Sequence, residues 1–184
     1  MNLDYNEEYK SFEKEVQDFC KQYKDISFSD RAKIPFSAKG GRNKNTIKRS
    51  DWQKILIEKG YFARSVPKKY GGYGGETDIL KSRIIASEFS KFKIPTPMGG
   101  QGIDMLVPTL LELGTEQQKE KYIKPTLHGE MIWCQGYSEP NAGSDLASLQ
   151  TKAELIDGEW VINGQKIWTS TAQYALSLIH ISEP

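Results

Sequence analysis

The chain has 184 residues, of which 38% are hydrophobic and 27% charged, with 25 Lys and Arg against 24 Asp and Glu. This length has room for one domain and part of a second, and the apolar content is sufficient for a core, which excludes a disordered or collagen-like chain. The formal net charge of +1 gives no reason to expect nucleic acid or an anionic membrane as a partner.

The first predicted element is a helix near the N-terminus, because apolar residues recur there at steps of three and four on a charged background. These residues are Tyr5, Tyr9, Phe12, Val16, Phe19, Cys20 and Tyr23. Asp4 followed by Glu7 predicts the start of this helix. Residues 25–49 contain Pro35, two glycines and several basic residues, and are predicted to form a loop.

A short helix is predicted over residues 52–59, with Ser50 or Asp51 as its cap and Gly60 as its stop. The glycine-rich segment 67–75 follows. It predicts a tight turn rather than a phosphate site, because neither GxxxxGK[ST] nor GxGxxG is present. Further helices are predicted over residues 77–92, 102–113 (bent or shortened at Pro108) and 116–127.

Antiparallel β structure is predicted after residue 130, where the pattern changes. Apolar residues 131–137 predict one strand, Asp157-Gly158 predicts a hairpin turn, and Lys166–Ser170 predict a further strand. The predicted fold class is therefore α+β. An N-terminal all-α domain spans residues 1–130, and the first part of a β-domain spans residues 131–175.

Pattern alone gives few candidates for chemistry. His128 lies ahead of a strand, where a surface or core-edge role is more common than catalysis. A metal site is not predicted, because the other histidine is the distant His180 and the two cysteines form no CxxC. The polar loop Ser138–Asp145 is the best local candidate for a ligand site, since its small residues suit close backbone approach. A plain connecting loop remains equally open at this point.

Two longer motifs closely resemble the acyl-CoA dehydrogenase family: residues 135–145, QGYSEPNAGSD, and residues 163–170, NGQKIWTS. Upstream, residues 67–75 resemble its PxxYGGxG turn, and residues 114–130 resemble its GTxxQK…GE segment. The resemblance covers most of residues 1–175, in order. It implies a flavoenzyme with an N-terminal helical domain, a central β-domain and a C-terminal helical bundle. The resemblance also implies that FAD binds between the β-domain and the C-terminal bundle. The implied assembly is a homotetramer or a homodimer.

The resemblance assigns cofactor contacts position by position. The FAD-binding positions are Gln135, Gly136, Tyr137, Ser138, Trp168, Thr169 and Ser170. Ser138 matches the position whose N–H and hydroxyl bond the pyrimidine edge of the flavin. Trp168 matches the ring that packs against the flavin, and Ser170 matches the hydroxyl residue near flavin N5.

The resemblance assigns substrate contact to one residue and catalysis to none. Ser144 matches a position lining the acyl-CoA path. Asn141 departs from the glycine that some members carry. The general base of the family is a glutamate of the C-terminal bundle, which has no match here, and Glu139 matches a structural position rather than the base.

The implied activity is oxidation of a saturated acyl-CoA to trans-2-enoyl-CoA in fatty acid metabolism, with electrons passed to an electron-transfer flavoprotein. Two alternatives remain: a flavin oxidase or monooxygenase of the same fold, and a non-catalytic helical binding module. No apolar run is long enough to span a membrane, and no signal or transit peptide is seen. A cytoplasmic location is expected, or the mitochondrial matrix if the source is eukaryotic.

The last nine residues, 176–184, do not resemble the family. Their sequence, LSLIHISEP, is the translation of a common transposase sequencing adapter, so we predict a non-native tail on an N-terminal fragment. A genuine apolar strand is the alternative, and resequencing across the codon for Ala175 distinguishes the two. Such a fragment is expected to be inactive, to bind FAD weakly or not at all, and to expose apolar surface.

Overall fold

The computed structural model describes residues 5–29, 46–175 and 177–180. The chain forms two compact units, one from Met1–Met98 with Glu116–Glu130, the other from Gly99–Thr115 with Met131–Pro184. The predictions made for Asp4, Pro35 and the last four residues lie outside the described residues.

The described residues contain α-helices that confirm the predicted helical segments. They are α1 (Glu7–Tyr23), α2 (Arg49–Glu58), α3 (Ile79–Phe92), α4 (Val107–Leu113) and α5 (Glu116–Leu127). None of the helices in these described ranges is long and apolar enough to cross a membrane.

The helix starts differ from the predictions by a few residues. Asn6 caps α1, since its side chain accepts a hydrogen bond from the N–H of Tyr9, and Asp78 caps α3 in the same way. The predicted cap of α2 is wrong, because the helix begins at Arg49 without a side-chain cap. Asp51 lies instead inside the first turn, where a carboxylate interacts favourably with the helix dipole.

The core of the first unit is aromatic and is centred on Phe19 of α1. Its ring stacks on Trp52 of α2 with centroids 5.7 Å apart and on Phe89 of α3 at 6.0 Å. Tyr61 meets the same ring edge-on at 4.9 Å. Because Phe19, Trp52 and Phe89 come from three different helices, their burial fixes how these helices pack.

The glycine-rich segment forms the predicted tight turn. A short 3-10 helix, Lys68–Tyr70, ends at Gly71 in the left-handed conformation, with φ of 86°. A Cβ at Gly72 would lie 2.2 Å from the carbonyl oxygen of Val66, so only glycine fits that close approach. The Tyr70 hydroxyl then donates to Glu116 Oε2 at 2.7 Å, which ties the turn to α5.

The second unit begins with a π-helical turn, Gly102–Leu106, that leads into α4. The sequence predicted one helix bent or shortened at Pro108. Pro108 has no N–H to donate to the preceding turn, and the N–H of Val107 bonds the carbonyl of Gly102 five residues back. The helix is therefore widened before the proline, which then lies in the first turn of α4.

The strands of the described residues are short. They are β1 (Ser27–Phe28), β2 (Thr46–Ile47), β3 (Trp133–Gly136), β4 (Lys152–Ile156), β5 (Glu159–Asn163) and β6 (Ser177–His180). Strands β1 and β2 pair in parallel inside the segment predicted to be a loop.

The predicted hairpin is confirmed, because β4 and β5 pair antiparallel around Asp157 and Gly158, which both have positive φ. Leu155 and Trp160 are paired on one face of this hairpin, and they are 60% and 67% exposed. The hairpin therefore presents apolar surface.

Two features of the second unit differ from the antiparallel strands that were predicted. β3 pairs in parallel with β6, with Trp133 opposite Ser177 and Gly136 opposite His180. The origin of residues 176–184 stays a prediction, because strand pairing uses main-chain groups that any sequence supplies. The predicted strand Lys166–Ser170 is wrong: residues 164–169 have no ladder, and a turn follows from residue 170.

Candidate functional site

The structure brings the two long motifs side by side within the second unit. The N–H of Ile167 donates to the carbonyl of Ser138 at 2.8 Å, and Lys166 Nζ donates to the carbonyl of Tyr137 at 3.1 Å. Thr171 Oγ1 donates to the carbonyl of Trp133 at 3.2 Å. The segment after β5 therefore runs along β3 and its continuation.

The loop that follows Ser138 is closed by main-chain bonds. The N–H of Glu139 donates to the carbonyl of Ala142 at 2.7 Å, and the N–H of Ala142 donates to the carbonyl of Glu139 at 3.2 Å. Ala142 is buried, whereas Pro140 and Asn141 at the tip are exposed. This short turn fixes the direction in which the Glu139 side chain leaves the backbone.

The Glu139 carboxylate is 6% exposed and accepts three hydrogen bonds. Lys166 Nζ donates at 2.8 Å, and the N–H groups of Gln150 and Thr151 donate at 2.7 and 3.0 Å. Hydrogen bonds from Lys166 first, then from Thr151 and Gln150, lower the pKa of Glu139 to about 2. Glu139 is therefore a poor general base near neutral pH, and its environment is that of a structural anchor.

This lowered pKa makes the free energy of unfolding of the second unit depend on pH in the acidic range. The pKa of Glu139 is about 2 in the folded chain against an ordinary 4.5, so its stabilisation is complete above pH 4.5 and is lost as the pH falls through about 2. We expect the free energy of unfolding to fall over this interval in wild type. We expect a smaller fall in Glu139→Gln, as measured by denaturant unfolding at a series of pH values.

The control for this prediction is Glu154→Gln, which removes an equivalent carboxylate from the exposed strand β4. We expect it to keep the acid dependence of wild type. An acid dependence in Glu139→Gln as steep as that of wild type contradicts the assignment.

A close approach of two backbones supports this anchor. Thr151 is 3% exposed, and a Cβ at Gly164 would lie 2.2 Å from its Oγ1 and 2.7 Å from its Cα. Residue 164 must therefore be glycine for the segment that carries Lys166 to reach Glu139.

Trp168 has an unusual position for a large apolar residue. Its side chain is 85% exposed, and its backbone has φ of 57° in the left-handed region. Such a conformation costs on the order of 1–3 kcal/mol in a bulky residue and persists only where neighbours hold it. Here the N–H of Ile167 is bonded to Ser138, and the N–H of Ser170 bonds back to the Trp168 carbonyl at 2.9 Å.

The predicted site residues therefore divide into two groups. Gln135 to Ser138 and Trp168 to Ser170 flank the contacts described above, with Gly136 buried, Thr169 partly buried and Ser170 exposed. Ser144 takes no part in these contacts. It is exposed in the loop that follows the Glu139–Ala142 turn.

Sequence reasoning missed Lys166 and Thr151 as parts of this site. The available signal was the position of Lys166, just after the Asn163-Gly164 turn and next to two apolar residues. A charged group in such surroundings requires a partner of opposite charge. That partner, Glu139, is 27 residues away and is identified only by the fold.

The His128 side chain is largely buried, and its Nδ1 lies 3.7 Å from Glu130 Oε1. Burial lowers the pKa of its imidazole. Within the described ranges, no group of three or more His, Cys, Asp and Glu residues could hold a metal ion.

Comparison with known proteins gives two matching family models. The model of the acyl-CoA dehydrogenase N-terminal domain matches residues 6–130, and that of the middle domain matches residues 134–183. The second match includes residues 176–183, which differs from the expectation that the last nine residues do not resemble the family. Acyl-CoA dehydrogenase IpdE1 of Mycolicibacterium smegmatis is 39% identical over 137 residues, which cover 69% of this chain and 34% of its own.

Solved structures agree with the family models. The Tcur3481-Tcur3483 steroid ACAD superimposes with a TM-score of 0.62 at 30% identity, covering 100% of this chain and 46% of that one. An acyl-CoA dehydrogenase from Bacillus anthracis, complexed with FAD, gives a TM-score of 0.57 at 26% identity over 98% of this chain and 30% of its own. The chain thus spans less than half the length of these proteins.

Proposed function

The chain belongs to the acyl-CoA dehydrogenase family, and we propose that it is the N-terminal part of an FAD-dependent dehydrogenase. The proposed reaction is the α,β-dehydrogenation of an acyl-CoA thioester to trans-2-enoyl-CoA. The observation that carries the proposal is the pairing of Tyr137 and Ser138 with Lys166 and Ile167, because it joins the two segments proposed to bind FAD.

The residues present fit a flavin. Its tricyclic ring is flat and apolar on its faces and polar along one edge, so it needs an aromatic or apolar platform and hydrogen-bond donors. Trp168 supplies an indole that is 85% exposed, although tryptophan is usually buried. Ser138 supplies an N–H and a hydroxyl donor, and Ser170 supplies a hydroxyl donor, at the two ends of the paired segments.

The proposed roles follow from these groups. FAD, when bound, supplies the hydride acceptor of the reaction. Ser138 and Ser170 donate hydrogen bonds to the polar ring edge and stabilise charge there, while Trp168 covers the ring and excludes water. Gln135, Gly136, Tyr137 and Thr169 complete the cofactor contacts, and Ser144 lines the path of the acyl-CoA.

The rest of the proposal concerns the longer parent protein of which we propose this chain to be a part. Its general base is a glutamate of a C-terminal helical bundle, so the 184-residue chain alone is proposed to be inactive. We propose an electron-transfer flavoprotein as the electron acceptor, a homo-oligomer as the assembly and the cytoplasm as the location. The structural likeness to a steroid ACAD supports including a steroid acyl-CoA among the substrates tested.

A variant of Trp168 tests the cofactor site. We expect Trp168→Ala to weaken FAD binding to the parent protein about tenfold, because it removes the aromatic platform while leaving the hydrogen-bond donors. The measurement is titration of the apoprotein with FAD, followed by flavin absorption.

The control is Trp160→Ala, which removes a similarly exposed indole from β5 of the same unit. It is expected to bind FAD like wild type. A parent protein that binds no FAD supports the binding-module alternative, and reduced flavin that reacts rapidly with oxygen supports the oxidase alternative.

A further inference from the structure

The two segments that are proposed to bind FAD have few direct bonds to each other. The described main chain joins them through Ile167 N–H and the Ser138 carbonyl, and the Lys166 side chain makes the neighbouring connection. Nζ of Lys166 donates both to the Tyr137 carbonyl and to Glu139 Oε1. One ammonium group therefore bridges two points of the first segment on either side of Ser138.

The Glu139–Lys166 pair is also held by main-chain groups outside the two segments. Gln150 and Thr151 donate their N–H groups to the Glu139 carboxylate, so the carboxylate cannot follow the lysine if the second segment moves. Both side chains are at most 10% exposed, which keeps water from replacing these bonds. The pair is therefore a rigid brace rather than a surface ion pair.

The position of the brace along the chain connects it to the cofactor. Lys166 precedes Trp168 by two residues, and Trp168 keeps a left-handed backbone while its side chain is 85% exposed. Because neighbouring contacts are what hold a strained residue, loss of the lysine releases the segment that presents the indole and the Ser170 hydroxyl.

We infer that Glu139 and Lys166 are positioning residues for the flavin: their buried ion pair sets the placement of Trp168 and Ser170 relative to Ser138. This inference rests on the proposed function, and neither residue is assigned contact with the cofactor. The donors at the ring edge stabilise the negative charge of the reduced flavin only when correctly placed. Breaking the pair from either side therefore destabilises the reduced form.

The test uses the parent holoprotein with the variants Lys166→Met and Glu139→Gln. We expect each to weaken FAD binding at least about tenfold, since each removes charge-assisted hydrogen bonds from the brace. With FAD at saturation, we expect both to change the visible flavin band and to lower the midpoint potential. The matched controls Lys152→Met and Glu154→Gln change the same charges on exposed β4 and are expected to leave affinity, band and potential unchanged.

The direction of the potential separates positioning from a plain charge effect. The two variants remove charges of opposite sign, so a charge effect shifts the potential in opposite directions, whereas a lost position lowers it in both. Opposite shifts, or unchanged affinity and potential, overturn the inference. If Lys166→Met does not fold, the Glu139→Gln variant, which keeps the shape of the side chain, is the deciding test. Weaker FAD binding with a lowered potential supports the inference, and an unchanged affinity or an unchanged or raised potential overturns it.

The failure of the proposed function is recognised separately. If the wild-type parent protein binds no FAD, both the proposed function and the inference that rests on it are wrong. If the wild type binds FAD and both variants match it, only the inference falls.

Discussion

Leu56→Ala is expected to destabilise the first unit of the parent protein by about 2–5 kcal/mol. Leu56 lies on α2 and is fully buried in the core that includes Phe19, Trp52 and Phe89. Truncation removes buried apolar contacts and leaves a cavity that the surrounding aromatic rings cannot fill without leaving their packing. The measurement is denaturant unfolding followed by far-UV circular dichroism.

The control for this substitution is Ile79→Ala, which removes an aliphatic side chain of the same size from the same unit. Ile79 is 71% exposed at the start of α3, so we expect a change within about 0.5 kcal/mol. Equal losses for Leu56→Ala and Ile79→Ala contradict the core described above.

Gly164→Ala is expected to destabilise the second unit by about 1–3 kcal/mol and to weaken FAD binding as well. The added methyl group would lie 2.7 Å from the Cα of Thr151, so a backbone must move rather than a side-chain tip. That movement separates Lys166 from Glu139 and displaces Trp168. The measurements are denaturant unfolding and FAD titration of the same preparation.

The matched control is Gly143→Ala, because a Cβ at Gly143 meets no atom within 4 Å. We expect it to keep the stability and FAD affinity of wild type. If Gly164→Ala also keeps both, the close packing of the two segments is not required for the site.

Periodicity was sufficient to predict the helices, because each buries one apolar stripe and local spacing carries that information. It located α1 and α3 to within a few residues, but it missed the caps at Asn6 and Asp78, since several nearby polar residues could have served. It also missed the π-helical turn before Pro108, because the number of residues in a helical turn depends on packing that spacing does not show.

The site could be predicted only in part. The resemblance identified the segments around Ser138 and Trp168, but it gave no reason to single out Lys166. The partner of Lys166 is distant in sequence, and a residue in a segment without a ladder has no periodic pattern to reveal its contacts. The predicted strand over Lys166–Ser170 was wrong for a related reason: side chains and one main-chain bond, rather than a β-ladder, hold this segment.

The proposed dehydrogenation is tested most directly by anaerobic addition of acyl-CoA substrates to the purified parent protein. Straight-chain, branched and steroid acyl-CoA thioesters are added in turn while the visible absorption of the flavin is recorded. We predict a yellow protein whose flavin band bleaches with at least one of them, with formation of the matching trans-2-enoyl-CoA. A protein that is colourless, or a flavin that no acyl-CoA reduces, would contradict the proposed dehydrogenase activity.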